Sequence, residues 1–276
     1  MGLELFELSI EVTRKCNLKC LHCMRGESQN IDITKEIIDE IFDNNNISAI
    51  HSISFSGGEP TLTPEIIVYI IDKIINKNIN VYKIGFVTNG QIYSQEIINA
   101  FNRFNKYRNN KVIEELEKTI IDKQEFNEIL KRNTDNHATI LFSIDQFHKP
   151  IPSKVKEKYI LSAEGINISE KAPLEEDEIY KTGFATFGID FEYELRKLKY
   201  VKIENNWVVM NPIYITANGN ITSKGDGQYT DMDKINLGNI MNKKLYDVLA
   251  ENGIPVFNSP KIELNTNHKR KTLNKN

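Results

Sequence analysis

The 276-residue chain is 40% hydrophobic, enough to bury one large core or a core with a small appendage. Its formal net charge of −3 gives no global field that would draw nucleic acid or an anionic membrane, so neither is expected as a partner. The N-terminal MGLELFELSIEV lacks a signal-peptide pattern, and no stretch reaches the roughly 18 apolar residues of a membrane span. A cytoplasmic protein is expected.

In chain order, Leu5 to Val12 alternates like a strand and runs directly into a cysteine loop. Thr34 to Asn44 has helical apolar spacing with Thr34 as cap, Ile50 to Phe55 reads as a second strand, and Thr63 to Asn76 reads as a helix with Thr63 capping and Pro64 opening it. Val81 to Val87 is a third strand closed by Thr88-Asn89-Gly90. The charged section from Tyr93 to Arg132 predicts two helices broken around Asn109-Asn110. A fourth strand is expected over Ala138 to Ile144, a helix over Pro152 to Ala163 and a short fifth strand over Gly165 to Ile168. Repeated strand-helix units imply parallel strands joined by right-handed crossovers with helices outside. Residues 198 to 223 instead read as antiparallel hairpins turning at Asn205-Asn206 and Asn218-Gly219, followed by a short helix over Lys244 to Glu251. The expected architecture is α/β, a partial (β/α)6 TIM-type barrel with a small β-rich C-terminal extension. Its divisions are a core over 1–190, the hairpin-rich extension over 191–257 and a polar tail over 258–276.

Cys16, Cys20 and Cys23 are the only cysteines of the chain. An odd number clustered in one short loop is no disulfide framework; it points to reduced thiolates holding a metal. Three ligands at this spacing can wrap one face of an iron-sulfur cubane and leave the fourth iron without a protein ligand. A structural zinc would want four closed ligands, and a low-potential ferredoxin a fourth cysteine.

The segment CNLKCLHC resembles the signature of the radical S-adenosylmethionine (SAM) superfamily. That resemblance implies a [4Fe-4S] cluster on Cys16, Cys20 and Cys23 whose open iron is chelated by the amino and carboxylate groups of SAM. It also implies reductive cleavage of SAM to a 5'-deoxyadenosyl radical that abstracts hydrogen from substrate. His22 occupies the usually aromatic position before the last cysteine and is expected near the adenine. Gly57, Gly58 and Glu59 resemble the motif that binds the methionine amino group: glycines allow close backbone approach, and a carboxylate accepts hydrogen bonds from an ammonium. Thr88 and Asn89 resemble the family's T-N-G segment, and Ser143 and Asp145 its S-x-D segment, whose polar groups reach the ribose; the competing readings are an ordinary turn and a strand-end cap. All these groups fall at the carboxyl ends of expected parallel strands, where barrel enzymes place their sites. His148 is a candidate catalytic residue that could contact substrate or carry a proton. His51 and His137 are expected to take no part, and Lys181-Thr182-Gly183 is left without a role.

Ile213 to Ile240 faintly resembles the C-terminal extension of peptide-modifying members, with Gly219, Gly238, Asn239 and Ile240 matching and every expected cysteine missing. Only one cluster is therefore expected. The partners implied are a reductant such as a flavodoxin or ferredoxin and a peptide or small-molecule substrate. The alternative is a non-catalytic iron-sulfur sensing or partner-binding module on the same scaffold, against which the intact GGEP and S-x-D segments argue.

Overall fold

The computed structural model describes residues 3–253 except 46, 120, 121, 123, 125, 129–135, 164, 172–174, 176, 177, 204 and 205. The expected tail over 258–276, most of the helical section beyond Thr119 and the Asn205 turn position lie outside the described residues.

Segments rich in Ile, Val, Leu and Phe build the first five strands: β1 (Leu3–Thr13), β2 (Ile47–Gly57), β3 (Asn80–Thr88), β4 (Ala138–Ser143) and β5 (Ile166–Lys171). They pair in sequence order, and each pair is parallel. Between them run α1 (Lys35–Asp43), α2 (Pro64–Asn76), α3 (Gln95–Thr119) and α4 (Ser153–Ser162). Two residues each form β6 (Tyr180–Lys181) and β7 (Ile189–Asp190), which pair only with one another. The last part of the chain supplies β8 (Tyr200–Ile203), β9 (Asn206–Ile215), β10 (Asn220–Thr222), α5 (Tyr229–Lys234), β11 (Gly238–Asn239) and α6 (Leu245–Glu251).

The sheet is an open partial barrel with the order β11-β10-β9-β1-β2-β3-β4-β5. β8 and β10 each pair antiparallel with β9, as hairpin partners do. The hairpins nevertheless do not stand apart from the barrel. β9 lies parallel to β1, from Leu3 opposite Trp207 to Ile10 opposite Ile215, and so extends the same sheet. Apolar residues shared by β1 and β9 make this possible, because Leu8, Ile10, Ile213 and Ile215 are fully enclosed together in one core.

α2 shows how the helices attach: Ile66, Ile67, Ile70, Ile71 and Ile74 form its buried stripe, and each such side chain contributes about 1.5–3 kcal/mol when removed from water. On β2 the buried Ile53 and Phe55 face that core, while Ser52, Ser54 and Ser56 alternate with them and are half-buried. One face of the sheet thus carries the core, and the other is polar enough to hold a site.

Two local expectations are corrected. Thr34 caps α1 by accepting from Ile37 N–H, but Thr63 makes no side-chain cap to α2. Its N–H closes the 3-10 turn Pro60–Leu62 by donating to Pro60 O at 3.2 Å, and this fixes Thr63 at φ −134°, ψ 57°. The helix expected to break at Asn109-Asn110 runs through as α3, because buried Phe101, Phe104, Asn105, Arg108 and Val112 keep one stripe continuous across that pair. Packing of the stripe outweighs the low helix propensity of two asparagines.

Candidate functional site

β1 ends at Thr13, and the cysteine loop begins there with its neck held shut. Arg14 N–H donates to Ile31 O at 2.8 Å, and Gln29 N–H donates to Arg14 O at 3.1 Å. Inside the loop, Cys23 N–H donates to Cys20 O at 3.0 Å, a turn that brings the last two cysteines to one side. All three thiols are half-buried. Burial and the neighbouring Cys23, Cys16 and Asp145 push the Cys20 thiol up to about 11, and burial with Glu59 and Cys23 also raises Cys16. Crowding of this kind suits a cationic cluster that binds the thiolates and displaces their protons.

Gly57 and Gly58 bring the end of β2 against the cysteine loop. Gly58 N–H donates to Thr13 O at 2.9 Å and Glu59 N–H to Lys15 O at 2.8 Å. A Cβ on Gly57 would sit 2.1 Å from Thr13 O, and one on Gly58 would sit 2.2 Å from Lys15 O. Gly57 also holds φ +146°, a conformation that side-chain-bearing residues rarely adopt. Gly57→Ala is therefore expected to destabilise the protein by about 2–4 kcal/mol through strain and backbone collision, measured as a lowered midpoint in urea unfolding. A midpoint equal to the wild type would show that the contact relaxes freely.

Glu59 is 1% exposed. Its Oε1 accepts from Thr61 N–H at 3.1 Å, Thr61 Oγ1 at 2.6 Å and Thr88 Oγ1 at 2.8 Å, and its Oε2 accepts from Asn89 N–H at 2.8 Å. Every one of these donors is neutral. Among the described residues no Lys, Arg or His forms an ion pair with this buried carboxylate. Thr88 and Asn89 thus hold Glu59 in place, and Asn89 Nδ2 also donates to Asn17 Oδ1 of the cysteine loop at 2.8 Å.

At the end of β4, Asp145 accepts three bonds at Oδ1: from Phe147 N–H at 2.9 Å, His148 N–H at 3.0 Å and the His148 ring at 2.8 Å. It therefore caps the turn that follows the strand. Burial alone would raise its carboxyl, but the bonds from His148 and Phe147 hold it below the usual carboxylate range. His22 Nε2 stands 3.9 Å from the other Asp145 oxygen, and the His22 ring meets Phe147 and His148 at centroid distances of 5.0 and 4.7 Å. His22 Nδ1 is buried with no hydrogen-bond partner among the described residues.

One cavity of about 380 Å³ joins these groups: Cys16, Cys20, His22, Cys23, Gly57, Gly58, Glu59, Thr88, Asn89, Ser143, Asp145 and His148 all line it. His51 and His137 lie elsewhere, His51 stacked on Tyr82 at 5.1 Å and His137 Nε2 3.0 Å from Asn109 Oδ1. Gly183, given no role above, packs on the cysteine loop itself. At φ +64° it leaves space for a Cβ only 2.4 Å from Cys23 O, and the next residue, Phe184, donates its N–H to that same oxygen at 2.9 Å.

Other residues of the site went unread in the sequence. Arg14, fully enclosed, donates through Nη1 and Nη2 to Asp233 of α5, both at 2.7 Å, and through Nε to Glu11. The Tyr214 hydroxyl of β9 donates to Glu11 Oε2 at 3.2 Å and also lies 3.2 Å from Ser56 Oγ. Arg25, Lys171 and Asp226 also line the cavity. Partners up to 219 residues apart leave no local trace, although Glu11 and Arg14 inside or beside an apolar strand are a signal that burial would require pairing.

The described residues contain no helix long and apolar enough to cross a membrane. Residues 10–109 match the family model for the Radical SAM superfamily. A probable GTP 3',8-cyclase of Methanococcus maripaludis is 32% identical over 108 residues, 36% of this chain and 34% of that protein. A probable GTP 3',8-cyclase of Methanocaldococcus jannaschii is 37% identical over 92 residues, 32% of this chain and 30% of that protein. The chain thus spans about a third of the length of these curated relatives. Among solved structures, native anSMEcpe with bound AdoMet and Cp18Cys peptide aligns at a TM-score of 0.48 and 14% identity, covering 89% of this chain and 80% of that one.

Proposed function

We propose that this chain, whose residues 10–109 match the Radical SAM family model, is an enzyme of that superfamily holding one [4Fe-4S] cluster on Cys16, Cys20 and Cys23 and binding SAM beside it. The observation that carries the proposal is Glu59: a buried carboxylate in the same cavity as three thiols, fixed by four neutral donors and without a cationic partner among the described residues. A buried carboxylate in that state is suited to one further strong donor, and the amino group of SAM, held at the open iron, would supply it through its N–H bonds. When bound, cluster and SAM supply reductive cleavage to a 5'-deoxyadenosyl radical for hydrogen abstraction from a peptide or small-molecule substrate.

The chain's own residues have separate tasks. Gly57 and Gly58 keep the space into which the methionine end would enter, and Thr61, Thr88 and Asn89 aim the Glu59 carboxylate. His22 presents a ring face beside Phe147 for the adenine, while Ser143 and the second oxygen of Asp145 offer acceptors to the ribose. His148, oriented by Asp145 through Nδ1, keeps Nε2 available to contact substrate or carry a proton. The electron would come from a partner such as a flavodoxin or ferredoxin. The proposal puts the protein in the cytoplasm, where thiols stay reduced.

With cysteine ligands only at the loop, anaerobic reconstitution is expected to load one cluster per chain, counted from iron and sulfide. A count of two clusters would overturn the single-cluster reading, and zinc without sulfide would overturn the family chemistry.

A further inference from the structure

The two arginines nearest the cysteines have opposite surroundings. Arg14 is saturated by Glu11, Gln29 and Asp233. Arg25, two residues beyond Cys23, lines the cavity and forms no ion pair among the described residues. Its Nη1 donates to Gly227 O at 3.3 Å and touches the Met232 sulfur, and its Nη2 donates to the Tyr214 hydroxyl at 3.1 Å. Its guanidinium lies 5.3 Å from the ring centroid of Tyr214 and 5.8 Å from that of Tyr229. These contacts fix the plane of the side chain. They leave the Nε–H and one hydrogen of Nη2 without an acceptor among the described residues. Nε–H and Nη2 share one edge of the guanidinium, the edge that takes a carboxylate or phosphate through two parallel hydrogen bonds.

We propose that Arg25 is the anchor for an oxyanion of the substrate, a carboxylate or a phosphate, received on its Nε/Nη2 edge. The inference rests on the reading above, in which the amino and carboxylate groups of SAM both go to the open iron and the amino group donates to Glu59, so that neither group of the methionine end needs Arg25. Position in the sheet agrees. Arg25 is held by Tyr214 on β9, four strands away from Asp145 at the end of β4, where the ribose contacts are placed. The cavity is thereby divided: a cofactor side over β2 to β4 and a side toward β9 and β1 that carries Arg25, with Asp226 also in its wall. A substrate bound by its oxyanion at Arg25 reaches toward the thiols from the side opposite the adenine.

Equilibrium dialysis of reconstituted protein tests this, with labelled succinate and labelled inorganic phosphate as separate probes, each with and without saturating SAM. The expected result is that one probe binds the SAM-loaded wild type. Arg25→Gln should then weaken that probe about tenfold or more while SAM affinity stays within about twofold, and Arg25→Lys should fall between them. Succinate binding identifies a carboxylate substrate, phosphate binding a phosphorylated one. Three results overturn the proposal: neither probe binds the SAM-loaded wild type, the probe binds Arg25→Gln equally well, or Arg25→Gln loses SAM in step with the probe. The last would make Arg25 the holder of the SAM carboxylate. Should Arg25→Gln not fold, Arg25→Lys decides, since equal probe affinity in that variant removes the bidentate edge from the account. Wild-type protein that binds no SAM but still binds a probe through Arg25 would count against the proposed function alone.

Discussion

Cys16→Ala, Cys20→Ala and Cys23→Ala are each expected to drop iron and sulfide to background after anaerobic reconstitution, while the far-ultraviolet circular dichroism stays that of the wild type. The two readouts separate because the loop is shaped by backbone bonds at its neck and by Gly58 and Glu59, none of which uses a thiol. Each cysteine is also half-buried rather than packed in the core, so its replacement removes a ligand and little apolar contact. With three ligands and an open fourth iron, losing any one leaves two thiolates, too few to retain a cubane. Full iron loading in any of the three variants would remove that cysteine from the ligand set.

Glu59→Gln is expected to weaken SAM binding about 10- to 100-fold, the range for losing a charge-assisted bond of roughly 1.5–3 kcal/mol. The same variant tests how the carboxylate is held. Oε1 accepts three bonds and Oε2 accepts the Asn89 N–H, so an amide nitrogen at either position turns toward a donor instead of an acceptor. Unfolding free energy should therefore fall as well, by about 1–3 kcal/mol for the unsatisfied buried group. Isothermal titration with SAM and urea unfolding separate the two losses. SAM affinity equal to the wild type would mean that Glu59 is a structural cap on the turn Pro60–Leu62 and that the amino group of SAM donates elsewhere.

How much of this could be read from the sequence follows from the range of the forces involved. The strand-helix alternation was legible because it is periodic, and so were α1 and α2, whose isoleucines mark one stripe each. The cysteine loop, Gly57 to Glu59 and Ser143 with Asp145 were legible because each lies at the end of a strand, and parallel strands carry those ends to one rim. What the residues do once there was less so. Thr88 and Asn89 read as ligand contacts, yet their side chain and N–H bond Glu59, and Asp145 spends Oδ1 on its own turn. Competition among neighbouring polar groups decides such details, and spacing does not encode it.

Long-range pairings escaped altogether. The β9 apolar run could equally serve a free hairpin, and only the presence of β1 as an open edge selects the parallel arrangement. Likewise nothing near Lys181-Thr182-Gly183 signals that the glycine must meet Cys23 O, because the reason for the glycine sits far earlier in the chain, in the cysteine loop. The same holds for Arg14 and Asp233, which fasten the start of that loop to α5. The cysteine-less C-terminal segment thereby contributes to the site through ion pairing.

The central claim is that Cys16, Cys20 and Cys23 hold a cluster that cleaves SAM reductively, and product formation tests it most directly. Anaerobically reconstituted protein, incubated with SAM and dithionite, is analysed for 5'-deoxyadenosine and methionine by liquid chromatography and mass spectrometry. The account predicts both products in equal amounts from the wild type and neither above background from Cys16→Ala, Cys20→Ala or Cys23→Ala. Fully loaded wild-type protein that yields no 5'-deoxyadenosine would contradict it.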